Sequence, residues 1–294
     1  MPPVPSRRTT AAPSPVGAWL PLDPAVATAL GDARLQLHHA AQFGASTGIS
    51  FVPARPDDSH TNLEWIPSLG ALLSVRVTAP TPFRVGVRVA DITLLVTNGA
   101  NEVVRSLALA GHSIEQGAAW LRTTLADLGA DASRFTLKRH FELPPHAVAA
   151  GSPFRLPTGG EMTELAHWFS DAWAALGGLA TATPGASEIR CWPHHFDLAT
   201  LIDVAPGKTI GAGLEPGDGY YTEPYFYVNV YPAPPAAAAS AAPLGGGGRW
   251  HTSEWIGAVL PGSRLTSDPD GQEIQASEFL ASAVAVCRTL LAAG

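Results

Sequence analysis

Cysteine is nearly absent: the chain of 294 residues holds two, Cys191 and Cys287. Neither sits in a Cys-x-x-Cys pair, so neither a disulfide scaffold nor a cysteine zinc knuckle is indicated. Both lie in apolar stretches and read as buried, inert thiols. Charge is sparse as well. Asp, Glu, Lys and Arg make up 15% of the chain, the net charge is −7, and the longest basic cluster is Arg7-Arg8. Nucleic-acid binding needs a positive footprint to neutralise phosphates, and an anionic membrane surface asks for the same. Neither partner is expected. No run approaches the roughly 18 apolar residues of a membrane span, and no signal-peptide core follows the amino terminus, so the expected location is cytoplasmic. A Gly-x-Ser-x-Gly elbow and a Ser-x-x-Lys motif are both missing, which removes the usual signatures of nucleophilic catalysis.

Apolar residues, at 46%, are plentiful, as are glycine (29) and proline (27). Such a composition belongs to a globular chain with frequent turns; its Ala, Gly and Pro richness suggests a bacterial source. Residues 1–16 read as a disordered tail, 17–294 as a single α+β domain, and the Ala/Pro/Gly-rich segment 232–248 as a mobile loop. Asp23-Pro24 and the apolar spacing after it predict a helix over 24–43. Alternation predicts strands over 72–78, 83–90, 92–97 and 103–109, with Asn98-Gly99 as a hairpin turn. Ser113 and Gln116 form a capping box for a helix ending at Gly129. A strand over 135–143 and a helix over 161–180 follow. Strands over 189–192, 198–204, 208–214, 225–230 and 255–260 come next, and a last helix covers 274–292. No β-α-β alternation dominates, so the expected fold is α+β, antiparallel sheet with about four flanking helices. The order allows two topologically similar halves, although their sequences do not match.

Ten histidines occur, and the densest stretch is Cys191-Trp-Pro-His-His-Phe-Asp-Leu-Ala-Thr200. In an extended strand His195 and Asp197 share one face and His194 the other. A His-x-Asp pair suits two metal ligands or a carboxylate that orients an imidazole for acid–base work; a polar strand edge explains it equally. With His251 the set becomes two histidines and a carboxylate, and with Arg264 beyond it the order resembles the iron/2-oxoglutarate oxygenase motif. The expected metal ligands are therefore His195, Asp197 and His251, and the ion a divalent metal such as Zn, Fe or Mn. Asp57-Asp58-Ser59-His60 follows two prolines and reads as a loop: His60 is a catalytic candidate beside His194, His195 and Asp197, and Asp58 a rim residue, while an Asx turn is the plainer reading. Gly211–Gly219 lacks nucleotide-loop spacing. All five tyrosines fall within residues 220–231. Tyr221, Tyr225 and Tyr227, with Trp250, are candidates for a pocket wall with hydroxyl handles.

The runs His194–Ala199, Pro216-Gly-Asp, Glu223-Pro-Tyr-Phe-Tyr-Val228 and Tyr231-Pro-x-Pro resemble a bacterial family of unknown function. That family carries a His-Phe-Asp-Leu-Ala strand followed by a Glu-Pro-Tyr-Phe-Tyr-Val strand. The resemblance spans about residues 18–290 and implies the element order but no reaction. The chain departs from the pattern at Pro193-His194-His195, where the family is more aromatic. Three readings stand: a small-molecule enzyme with a His/Asp site, a non-catalytic binder with a Tyr/Trp-lined pocket, and an interaction protein in which these groups only satisfy one another.

Overall fold

The computed structural model describes residues 19–293; the predicted tail 1–16 lies outside them. The first long element is α1 (Gly31–Phe51). Strands β1 (Leu63–Ile66), β2 (Ala71–Ser74), β3 (Phe83–Arg88), β4 (Thr93–Asn98) and β5 (Val103–Ala108) follow, then α2 (Ile114–Asp127). The second half opens with α3 (Glu161–Ala182) and continues through β6 (Arg190–Trp192), β7 (Asp197–Ala205), β8 (Lys208–Glu215) and β9 (Tyr225–Tyr231). It ends with the short α4 (Ala236–Ser240), β10 (Arg249–His251), β11 (Gly257–Pro261) and α5 (Pro269–Ala293).

All eleven strands form one antiparallel sheet in the order β10-β11-β9-β8-β7-β6-β1-β2-β3-β4-β5. Each half is a long helix, a meander and a closing helix. The halves are joined where β1 pairs with β6, Leu63 opposite Cys191. Because side chains alternate along a strand, the register assigns Leu63, Trp65, Leu72, Val85 and Val87 to one face, with Cys191, Leu198, Ile202, Leu214 and Phe226 continuing it. This face meets the helices: Trp65 stacks on Phe169 of α3 at 5.7 Å, and Trp168 meets Phe226 at 5.9 Å. A single buried apolar cluster runs through both halves. By length and apolar composition α5 could cross a membrane; here Phe279, Leu280, Ala283 and Cys287 are buried in that cluster, and the helix packs on β8, β9, β11 and α3.

The capping box is present, with Ser113 Oγ accepting from Gln116 N and Gln116 Oε1 accepting from Ser113 N. Gly129 ends that helix at φ +77°. Three expectations are corrected. The first helix starts at Gly31, not at 24, because residues 27–29 form a separate 3-10 turn. It continues through Gly44, Ser46, Thr47 and Gly48, which are weak helix formers; burial against β2 and β3 overrides propensity there. Residues 135–145 carry no strand: the segment is extended but pairs with no ladder, Thr136 N donating to Ser50 Oγ at 3.0 Å. Segment 232–248 contains α4 and is tied to α5, with Gly245 N on Ser282 Oγ at 2.8 Å and Gln275 Nε2 on Gly246 O at 3.0 Å.

At Gly48 the backbone of α1 packs directly against the 3-10 turn at Ser59–Thr61. A Cβ there would lie 2.0 Å from the carbonyl oxygen of His60, whereas one at Gly31 would meet nothing within 4 Å. We expect Gly48→Ala to cost about 1–3 kcal/mol through overpacking, lowering the melting temperature by roughly 2–4 °C per kcal/mol. Gly31→Ala should leave it unchanged or raise it slightly. Thermal denaturation followed by circular dichroism checks the contrast in sign.

Candidate functional site

The sheet face turned away from the helical core carries, in the second half, a row of polar side chains. Trp192 opposes Asp197, and Glu215 opposes Tyr225. One step beyond the Leu198↔Leu214 pair, the β7–β8 ladder brings Asp197 beside Glu215. Farther along the same face Gly213 opposes Tyr227 and Gly211 opposes Asn229. These two glycines make a trough. A Cβ on Gly213 would come within 2.8 Å of the Tyr227 hydroxyl, and one on Gly211 within 2.4 Å of Asn229 Oδ1. The row floors a cleft of about 830 Å³, which Arg34, His38, His194, His195, Asp218, Tyr220 and Trp255 help to line.

The walls are built by three connections. Pro193–Phe196 form the tight turn between β6 and β7, closed by Phe196 N donating to Trp192 O at 2.6 Å. Phe196 is buried at φ +75°, a left-handed conformation that is costly for a residue with a Cβ. Its ring stacks on His38 at 4.8 Å. His38 Nε2 and Gln42 Nε2 both donate to Pro193 O, at 2.9 and 3.0 Å, so α1 holds the turn in place. The carbonyl can only accept, which puts the His38 proton on Nε2 and leaves Nδ1 bare. Burial lowers the pKa of this imidazole to about 3, so it stays neutral. The second wall is Pro216–Gly219: Arg34 Nη1 donates to Gly217 O at 2.5 Å, and Asp218 accepts from Tyr220 N, Tyr221 N and the Tyr225 hydroxyl, each at 2.8 Å. The third is Trp255, which lies over Gly257 and stacks on His251 at 4.4 Å.

Asp197 and Glu215 are each 6% exposed. Asp197 Oδ2 accepts from the Tyr227 hydroxyl at 2.5 Å. Among the described residues, Asp197 Oδ1 and Glu215 Oε1 are buried with no partner, a costly condition for an ionised carboxylate. Burial raises the pKa of Glu215 well above the carboxylate range, and the nearby carboxylates of Asp197 and Asp218 raise it further. Burial raises Asp197 too, but the Tyr227 hydroxyl and the charge of His195 draw it back down. Glu215 is therefore the member that keeps a proton, and Asp197 the one that ionises first.

His194, His195, Asp197, Tyr225 and Tyr227 line the cleft together. His194 and His195 sit at a turn tip with rings 4.3 Å apart, so the strand-face pairing of His195 with Asp197 does not hold; the left-handed Phe196 breaks the alternation. The metal set is not assembled: among the described residues no three His, Cys, Asp or Glu side chains are grouped to hold an ion. His251 is engaged at both nitrogens, by the Tyr221 hydroxyl at 3.0 Å and by Ser253 O at 2.5 Å. His60 is buried in the first half, its Nδ1 accepting from Arg55 N at 3.2 Å. Asp58 pairs with His140 at 3.1 Å, Trp250 Nε1 donates to Ala242 O, and Arg264 O accepts from Gln275 Nε2; none of these lines the cleft. Tyr221 stands behind Tyr225, ring to ring at 4.7 Å. Sequence reasoning missed Arg34, Glu215 and Asp218 as site residues. For Glu215 a signal was present: it closes the alternating run Gly211-Ala-Gly-Leu-Glu215, on the same face as the two glycines.

A carboxyl whose folded pKa is raised binds its proton more tightly folded than unfolded, so its contribution to stability is full at low pH and is lost as pH rises through the folded pKa. Stability should fall as pH rises above the ordinary Glu range of about 4.3. Glu215→Gln should flatten that fall and leave the variant more stable than the parent at high pH. Urea denaturation from pH 5 to 9 measures both slopes.

In comparison with known proteins, no family model, no curated sequence and no solved structure matches this chain.

Proposed function

We propose that the protein is an enzyme performing general acid–base chemistry on a small polar molecule in this cleft, with Glu215 giving a proton and Asp197 taking one. One observation carries the reading: two buried carboxyl groups on neighbouring strands each keep an oxygen that no other described residue satisfies, at the floor of a cleft of ligand size. Their surroundings differ, because a tyrosine hydroxyl bonds only Asp197. Carboxyls driven apart in this way divide the acid and base roles. Tyr227 positions Asp197, and the neutral His38 holds the turn that brings His194 and His195 to the rim. The aromatic wall of Tyr220, Tyr225 and Trp255 supports a second reading, in which the cleft only binds.

The test is incubation with a small-molecule extract followed by mass spectrometry. The parent should consume a component, and Glu215→Gln should lower the rate by about 10²–10⁴-fold, the usual scale of one acid–base group, while the same component still co-purifies. Tyr227→Phe should give a smaller loss in rate and shift the pH profile. Binding by the parent and both variants with conversion by none would establish the second reading in place of the first.

A further inference from the structure

A second cavity, of about 280 Å³, is lined by four arginines: Arg55, Arg76, Arg84 and Arg190, with Asn62, Leu63, Glu64 and Val75. The concentration is unusual in a chain with 18 basic residues and a net charge of −7. The arginines come from separate places. Arg55 follows α1, Arg76 lies between β2 and β3, Arg84 is on β3, and Arg190 is on β6. The cavity therefore forms only once the two halves of the sheet are joined.

Arg84 is the anchor. Its side chain is 7% exposed, and it donates to Ser74 O at 2.7 Å, Asn101 Oδ1 at 3.2 Å and Glu64 Oε2 at 2.8 Å. Arg190 reaches Glu188 outside the cavity. Arg55 bonds the Ser59 hydroxyl at 3.3 Å, and Arg76 makes no ion pair among the described residues. Glu64 pairs with Arg84, Glu188 holds Arg190 from outside the cavity, and the charge of Arg55 is felt by Asp57 beyond the lining, so guanidiniums outnumber the carboxylates around one small space. The proximity is felt, since the charges of Arg76 and Arg190 both oppose that of Arg84. An independent mark is Asn62. It is 2% exposed and lines the cavity, and its buried Oδ1 has no partner among the described residues, so it is free to accept from a ligand O–H.

We propose that this cavity binds the phosphoryl group of a small metabolite. Guanidiniums match phosphate oxygens in a planar, forked geometry, the excess of positive charge suits an anion, and Asn62 accepts from a hydroxyl of the substituent. The volume admits a phosphate with a short substituent. This site is separate from the carboxylate cleft, shares no lining residue with it, and does not rest on the proposed function.

The experiment is titration calorimetry of the full chain with inorganic phosphate, pyrophosphate and acetate. Phosphate or pyrophosphate should bind saturably, and acetate at least about tenfold more weakly. Arg76→Gln and Arg190→Gln should each weaken binding about tenfold or more, the scale of one charge-assisted contact; both residues lie outside the apolar core, and an unchanged melting temperature confirms folding. Arg34→Gln, in the other cleft, should leave binding unaltered. The proposal is overturned if neither phosphate nor pyrophosphate saturates the protein, if acetate binds as well as they do, or if Arg34→Gln removes binding while Arg76→Gln and Arg190→Gln keep it.

Discussion

Leu63 opposite Cys191 is a small contact with large consequences. It hydrogen-bonds β1 to β6 and turns two meanders into one eleven-stranded sheet. Both residues are fully buried, so the seam lies within the apolar cluster shared by α1, α3 and α5. Burying a side chain of Leu size contributes roughly 1.5–3 kcal/mol, and here the burial requires both halves at once. The arginine cavity spans the same seam, with Arg84 on one side and Arg190 on the other.

The carboxylate cleft depends on that arrangement less directly. Its floor belongs to β7, β8 and β9 alone, but its walls include Arg34 and His38 from the first half. His38 and Gln42 reach Pro193 across more than 150 positions of sequence. This contact sustains the left-handed Phe196, whose backbone cost the surrounding packing offsets through stacking on His38 and contact with Phe169. Two buried acids on adjacent strands oppose each other's ionisation, and the fold answers with a proton on one and a tyrosine hydroxyl on the other. The unsatisfied oxygens that remain are the feature least explained by stability, and so the one most telling of a ligand.

The meander strands, the Ser113–Gln116 cap and the long helices were legible because period and capping are local properties. The strand over 135–143 was not, since an alternating segment still needs a strand edge to pair with, and this one bonds to Ser50 of α1 instead. His194, His195, Asp197, Tyr225 and Tyr227 were legible as chemistry because they are dense in the chain. His60, Asp58, Arg264 and Trp250 carry the same residue types and were equally attractive, yet local hydrogen bonds and distance in the fold place them elsewhere. Glu215 was overlooked because the predicted strand ends at residue 214, one position short of it.

The amino-acid sequence by itself determined the fold class, the long helices, most of the meander strands and the stock of side chains able to do chemistry, since these follow from periodicity and composition. Tertiary structure alone decided which of them meet. Strand register put Asp197 beside Glu215, a turn replaced the extended His-x-Asp pairing, and the β1–β6 seam gathered four arginines from four separate places in the chain. Such choices turn on pairing between residues far apart in the chain, where local propensity carries no information.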